Sequence, residues 1–294
     1  MKNSVAAQIA FRGAYLAVAV IALLCSIGLI GGEIFAFRAF FFTDFFNWAL
    51  IMSIIATAGA LAENISAANR GENGFPKKFA LLRFCTACSM LFCFLLGAFF
   101  LDRVGNDRLT ASASYGSIFP GMFTAGYWTN VGAVLPRFVC PVMYFIGFLL
   151  FEERGKTRGI YSTIAILPPT VFYFFDLFFG MIMSAACGGT DGLTEKGLYG
   201  IAYPYFFQDS ALTFTGWYWM LLWPTIFGVS LMILNNIVFT LSRISRNAEG
   251  RLTVDRKSKP DEEGMCDCLH GFVTKRAAKR AAKADPNGEK SDKS

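Results

Sequence analysis

Residues 37–61 read FRAFFFTDFFNWALIMSIIATAGAL, and from Phe40 to Leu61 the only ionisable side chain is Asp44. A helix needs roughly 17–25 predominantly apolar residues to cross a bilayer core. This run has that length, and it lacks the alternating polarity over about ten residues that marks a membrane-spanning strand. It reads as a transmembrane helix. Its leading end is less simple, because Phe37–Trp48 mixes seven aromatic residues with Arg38, Thr43, Asp44 and Asn47. Those polar groups either form a collar at the membrane surface or face a protected interior.

Five more blocks of the same kind lie near Ala14–Gly31, Phe84–Leu101, Tyr127–Phe151, Ile160–Met183 and Trp217–Leu241. The composition agrees: 54% of the 294 residues are hydrophobic, 16% are charged, and the mean hydropathy is +0.46. A soluble domain carries about 25% charge. The sequence therefore predicts an all-α polytopic membrane protein with six transmembrane helices in residues 1–242. Residues 243–294, which hold 13 of the 27 Lys and Arg, form a basic, largely disordered tail. With the N-terminus inside, the inner segments carry 2, 4, 3 and 13 positive residues and the outer loops 1, 2 and 1. That asymmetry places both termini in the cytoplasm.

Several local signals are weak against this frame. The first span lacks a small-x-small cleavage site and is read as a retained helix, not a signal peptide. Cys25, Cys85, Cys88, Cys93 and Cys140 fall in spans as small apolar fillers, so no disulfide framework is implied. Asn64-Ile65-Ser66 matches a glycosylation acceptor but borders a cytoplasmic loop. The aromatic run before the last span, with Trp217 and Trp219, fits an interfacial belt.

An ionisable group within a span costs a few kcal/mol and marks a candidate site. Arg137 lies about ten residues below the outer end of the fourth span, hence roughly 15 Å deep at 1.5 Å per residue. Asp176 sits at a comparable outer depth in the fifth span, and Thr43, Asp44 and Asn47 open the second. Helical spacing groups them. Thr43 and Asn47 share one face; Asn130, Val134, Arg137 and Pro141 form a stripe, as do Pro169, Tyr173, Asp176 and Gly180. These stripes are expected to converge on an outer-side polar pocket lined by Thr43, Asn47, Asn130, Arg137, Tyr173 and Asp176, with Asp176 as counter-ion to Arg137. Pro136, Pro141 and Pro168-Pro169 are expected to bend their helices and free backbone carbonyls.

The Thr43-x-x-x-Asn47 opening, Pro141 followed by FLLFEERGK, the proline-aromatic start of the fifth span and YPYFFQD before the sixth resemble the Pr6Pr family of six-span bacterial membrane proteins. That family is similar in turn to the androgen-inducible six-span hydrolases of fatty-acid esters. The resemblance covers roughly Phe11 to Ser242. It implies a bacterial cytoplasmic-membrane location and, through the hydrolases, a threonine nucleophile at Thr43 with a histidine in span four. Val131, Val134 or Arg137 occupies the histidine position, depending on alignment, and the chain's one histidine is His270. A threonine hydroxyl needs a base, and arginine stays protonated, which leaves Asp44 or Asp176. Arg137 would stabilise an oxyanion or hold a fatty-acid carboxylate. The expected function is binding of an acidic amphiphile or lipid in the outer pocket. The alternatives are an intramembrane lipid-ester hydrolase and a structural or partner-binding role.

In the tail, Cys266, Cys268 and His270 lack the fourth ligand and the spacing of a structural zinc site. Lys275, Arg276, Lys279, Arg280 and Lys283 line one side of a short helical repeat suited to anionic inner-leaflet lipid. No cofactor is expected, and no nucleic-acid module is present.

Overall fold

The computed structural model describes residues 4–30, 41–72, 74–95, 134–153, 157–203, 217–246 and 252–254. Helix α1 spans Val5–Ile27. Ser4 caps it by accepting the Ala7 amide at 3.2 Å, which satisfies a donor that no helical carbonyl reaches. Gly28, at φ 98°, closes it in the left-handed conformation that glycine adopts without a Cβ clash. Helix α2 spans Phe45–Asn69 and α3 spans Ala80–Leu95. In the turn between them the Glu63 carboxylate accepts the Lys77 and Lys78 amides at 2.8 and 3.0 Å.

Helix α4, Cys140–Phe151, is entered through a π turn at Leu135–Val139. Pro141 has no N–H for the Arg137 carbonyl four residues back. The chain widens there, and Cys140 donates five residues back to the Leu135 carbonyl. The next segment also breaks at prolines: α5 spans Gly159–Ile164 and α6 spans Leu167–Cys187. The turn at Ala165-Ile166 lies directly before Pro168-Pro169, where the expected bend occurs. Helices α7, Thr190–Glu195, and α8, Tyr199–Ala202, follow, then α9, Trp217–Ser242, with Pro224 inside it. Beyond α9, strands β1, Ile244–Arg246, and β2, Leu252–Val254, pair antiparallel.

Gln8 meets Asn64 and Tyr15 meets Ser53, so α1 and α2 run antiparallel. Arg83 meets Glu152 and Phe94 meets Phe138, so α3 and the π-turn/α4 segment do too. Contacts of α1 with α2, α2 with α3, α3 with α4 and α4 with α1 close a four-helix ring. Its centre is Tyr15, Ala19, Ala22, Ala49, Leu50, Ala56, Phe84, Cys88, Met90, Cys140 and Tyr144, all buried. Ala19 and Ala22 on α1 and Ala49, Ser53, Ala56 and Ala60 on α2 form small-residue seams. Such seams let membrane helices approach closely, where dispersion replaces the missing hydrophobic drive. Helix α9 packs on α3 and α5. Its end is tied there by Asn235 Nδ2 to the Ser162 carbonyl, 3.1 Å, and Arg243 Nε to the Thr157 carbonyl, 2.9 Å.

Among the described residues, four segments are long and apolar enough to cross a membrane: Val5–Ile27, Phe45–Asn69, Gly159–Cys187 and Pro224–Ser242. Ala80–Leu95 and Leu135–Phe151 are shorter apolar helices, each adjoining residues outside the described set. The outer faces are oily, with Ile55, Phe178, Ile182, Val229 and Ile233 exposed. This inside-out distribution marks a helical membrane protein. Several boundaries move: α1 runs from Val5 to Ile27, not Ala14 to Gly31, α2 from Phe45 to Asn69, not Phe40 to Leu61, and α3 starts at Ala80, not Phe84.

Candidate functional site

The leading end of α2 explains its own polar residues. Asp44 is the N-cap: its Oδ1 accepts the Phe46 amide at 3.0 Å. Thr43 therefore lies in the turn before the helix, not on a helical face shared with Asn47. Both are nonetheless buried, at 2% and 3% exposure. Asn47 Nδ2 donates to the Phe41 carbonyl at 3.0 Å and Trp48 Nε1 to the Phe42 carbonyl at 2.8 Å. The first turn of α2 thus fastens the aromatic turn that precedes it. Asn47, expected to line a ligand pocket, has its amide committed to the backbone.

Arg137 is carried to this cap by the π turn. Its Nη2 lies 3.2 Å from Asp44 Oδ2, and its guanidinium carbon stands 4.8 Å from the centroid of the Phe46 ring. The ion partner is Asp44, where the sequence reading had named Asp176. The side chains of the pair keep 14% and 15% of their accessibility. Among the described residues no acceptor meets Arg137 Nε or Nη1. On α6, Pro169, Phe172, Asp176 and Gly180 form the buried stripe, and Tyr173 is half-buried beside it. Asn130 and the tail residues Cys266, Cys268, His270, Lys275, Arg276, Lys279, Arg280 and Lys283 lie outside the described residues. No group of three His, Cys, Asp or Glu able to hold a metal occurs among the described ones.

A larger polar assembly sits at the opposite end of the ring, where α1 begins and α4 ends. Arg83, 3% exposed, donates through Nε and Nη2 to the two oxygens of Glu152 at 2.7 and 3.0 Å. It also donates to the Pro76 carbonyl at 2.8 Å and to the Lys78 carbonyl. Arg12 donates through Nη1 to Gln8 Oε1 at 3.0 Å and through Nη2 to the Phe151 carbonyl at 3.2 Å, with Glu152 Oε1 at 3.6 Å. Asn64 Nδ2 reaches the same Gln8 oxygen at 3.2 Å, and Gln8 Nε2 donates to the Gly74 carbonyl at 3.2 Å. Tyr144 OH donates to the Arg83 carbonyl at 3.3 Å. One carboxylate thus joins α1, α3 and α4, while Gln8 ties α1 to α2. The buried Asn64 amide also gives the Asn64-Ile65-Ser66 triplet a structural reason to stay unmodified.

These residues lie just outside the expected spans, which begin at Ala14 and Phe84 and end at Phe151. Arg12 and Arg83 enter the sequence reading only as inner-side positive charge, and Glu152 does not enter it. The signal was present in the four-residue spacing of Gln8 and Arg12, which puts two polar side chains on one face of an otherwise apolar helix.

The chain matches no family model, no curated protein and no solved structure. At the Asp44 end, a carboxylate with both oxygens engaged is poorly placed to take a proton from Thr43. The guanidinium beside it retains donors.

Proposed function

We propose that the chain is a six-span membrane protein with both termini cytoplasmic, related to the Pr6Pr family and resident in a bacterial cytoplasmic membrane. In this reading it binds an acidic amphiphile at the Asp44–Arg137 end. The observation that carries the reading is the half-used guanidinium: Arg137 gives Nη2 to Asp44 and keeps Nε and Nη1 for an incoming anion. A planar guanidinium is suited to two-point contact with a carboxylate or phosphate. The anion would compete with Asp44 for it. The hydrolase alternative needs a base for Thr43, and Asp44 is already occupied as cap and ion partner. Asp176 is the remaining candidate. The basic repeat Lys275–Lys283 would rest on anionic inner-leaflet lipid.

Native mass spectrometry of the protein released from neutral detergent tests this. A co-purifying acidic lipid is expected on the wild type and Thr43→Ala, and its occupancy falls by one equivalent per chain on Arg137→Ala. Asp44→Asn, which frees the guanidinium, raises its occupancy. Equal lipid on Arg137→Ala and Thr43→Ala sinks the proposal, and labelling of Thr43 by a hydroxyl-directed hydrolase probe would favour the enzyme.

A further inference from the structure

Between α1 and α4, at the end opposite Arg137, lies a recess whose wall includes Phe11, Arg12, Thr57, Arg83, Phe151 and Glu152. Its empty volume is ≈ 350 Å³ counting the open solvent at its edge. Three observations bear on what fills it. First, the charged groups on its wall are Arg12, Arg83 and Glu152, one positive charge in excess; Glu63, the next carboxylate, is turned to the exposed Lys77 and Lys78 amides. A buried uncompensated charge is costly. Second, the recess wall holds donors left over: Arg12 and Thr57 are each 6% exposed, and among the described residues no acceptor meets Arg12 Nε and no partner meets the Thr57 hydroxyl. Third, much of the lining is aromatic, with Phe11 and Phe151 packed together, ring centroids 5.2 Å apart, and Phe148 also on the wall. Gly147 keeps this seam close, since a Cβ there would stand 2.5 Å from Phe11 Cε1.

We propose that this recess binds the carboxylate of an aliphatic acid, with its two oxygens on Arg12 Nε and the Thr57 hydroxyl and its chain lying along the aromatic lining of Phe11, Phe148 and Phe151. A carboxylate brings two acceptor oxygens, cancels the surplus charge and accepts from both donors. The site is independent of the Asp44–Arg137 reading, because it uses other residues at the other end of the ring.

The test is titration of the full chain in phosphatidylcholine nanodiscs with carboxyl-¹³C laurate, with dodecanol and acetate as the uncharged and chain-free arms. Laurate is expected to shift and saturate at one equivalent per chain on the Arg137→Ala background, while dodecanol does not compete. Thr57→Val, which touches no ion pair, is expected to weaken laurate about tenfold, the loss of one hydrogen bond to a charged group. Arg12→Gln weakens it further. Laurate affinity unchanged by Thr57→Val in a folded protein, or equal displacement by dodecanol, overturns the site. Equal affinity for acetate overturns the amphiphile. Loss of all binding on Arg137→Ala would place the acid at the Asp44 end instead.

Discussion

Replacing Glu152 by glutamine removes one charge and almost no volume, and it isolates what that charge does. Arg83 would keep the Pro76 and Lys78 carbonyls, and Arg12 would keep Gln8 and the Phe151 carbonyl. Two guanidiniums with 4% and 8% side-chain accessibility would then share no anion. Breaking a buried pair by removing one partner costs about 3–5 kcal/mol. The Glu152 side chain is 16% accessible, which puts the expectation at the low end, about 3 kcal/mol or roughly a hundredfold in the folded-to-unfolded ratio. Detergent-driven unfolding in neutral micelles, followed by tryptophan fluorescence, reads this directly. Glu72→Gln, in the exposed pair with Arg70, serves as control and should leave the curve in place. Arg83→Met combined with Glu152→Leu should recover much of the loss, since an apolar pair of similar volume replaces the whole bridge. If Glu152→Gln behaves like Glu72→Gln, the three-helix bridge contributes nothing and the reasoning fails.

Asp44 combines two roles that substitution separates. Asparagine caps as well as aspartate but cannot pair with Arg137, so Asp44→Ala should cost about 1 kcal/mol more than Asp44→Asn in thermal unfolding in detergent. At Gly180 an added Cβ would stand 2.4 Å from the Ala202 carbonyl oxygen. Gly180→Ala should therefore push α8 off α6 at a cost of about 1–3 kcal/mol, seen as faster amide exchange over 199–203, while Gly159→Ala, with nothing within 4 Å, leaves exchange unchanged. The hydrogen bonds and charge of Arg70 hold the Glu72 carboxyl below the usual glutamate value. Its titration by NMR should sit low and move up in Arg70→Ala. Because the folded value is the depressed one, the pair's contribution is present at neutral pH and lost as pH falls through that midpoint.

Helical class and the placement of the four long apolar segments were legible in the sequence because both depend on a long average, length without charge. The break before Pro168-Pro169 was legible because a missing N–H is a property of the residue itself. The site was less so. Sequence spacing placed Thr43 and Asn47 on one helical face, but Asp44 between them is a better cap than an interior residue, so the helix starts after Thr43. Asp176 was chosen for Arg137 by depth, and depth does not fix the rotation of one helix against another. The Arg12–Arg83–Glu152 bridge was missed for a different reason. Its members sit at span ends, where hydropathy alone cannot distinguish a charge turned to water from one folded back under the bundle.

The widened turn at Leu135–Val139 has a consequence for how this segment tolerates change in length. Deleting a single residue between Leu135 and Val139 would let the turn close as an ordinary α turn, because the wider turn fits one extra residue into the same arc. Cys140–Phe151 would keep its face toward α1 and α3, while Arg137 would lose the place in the turn that brings it to Asp44. The extra residue is absorbed locally, and what it selects is the side chain that the turn presents to α2.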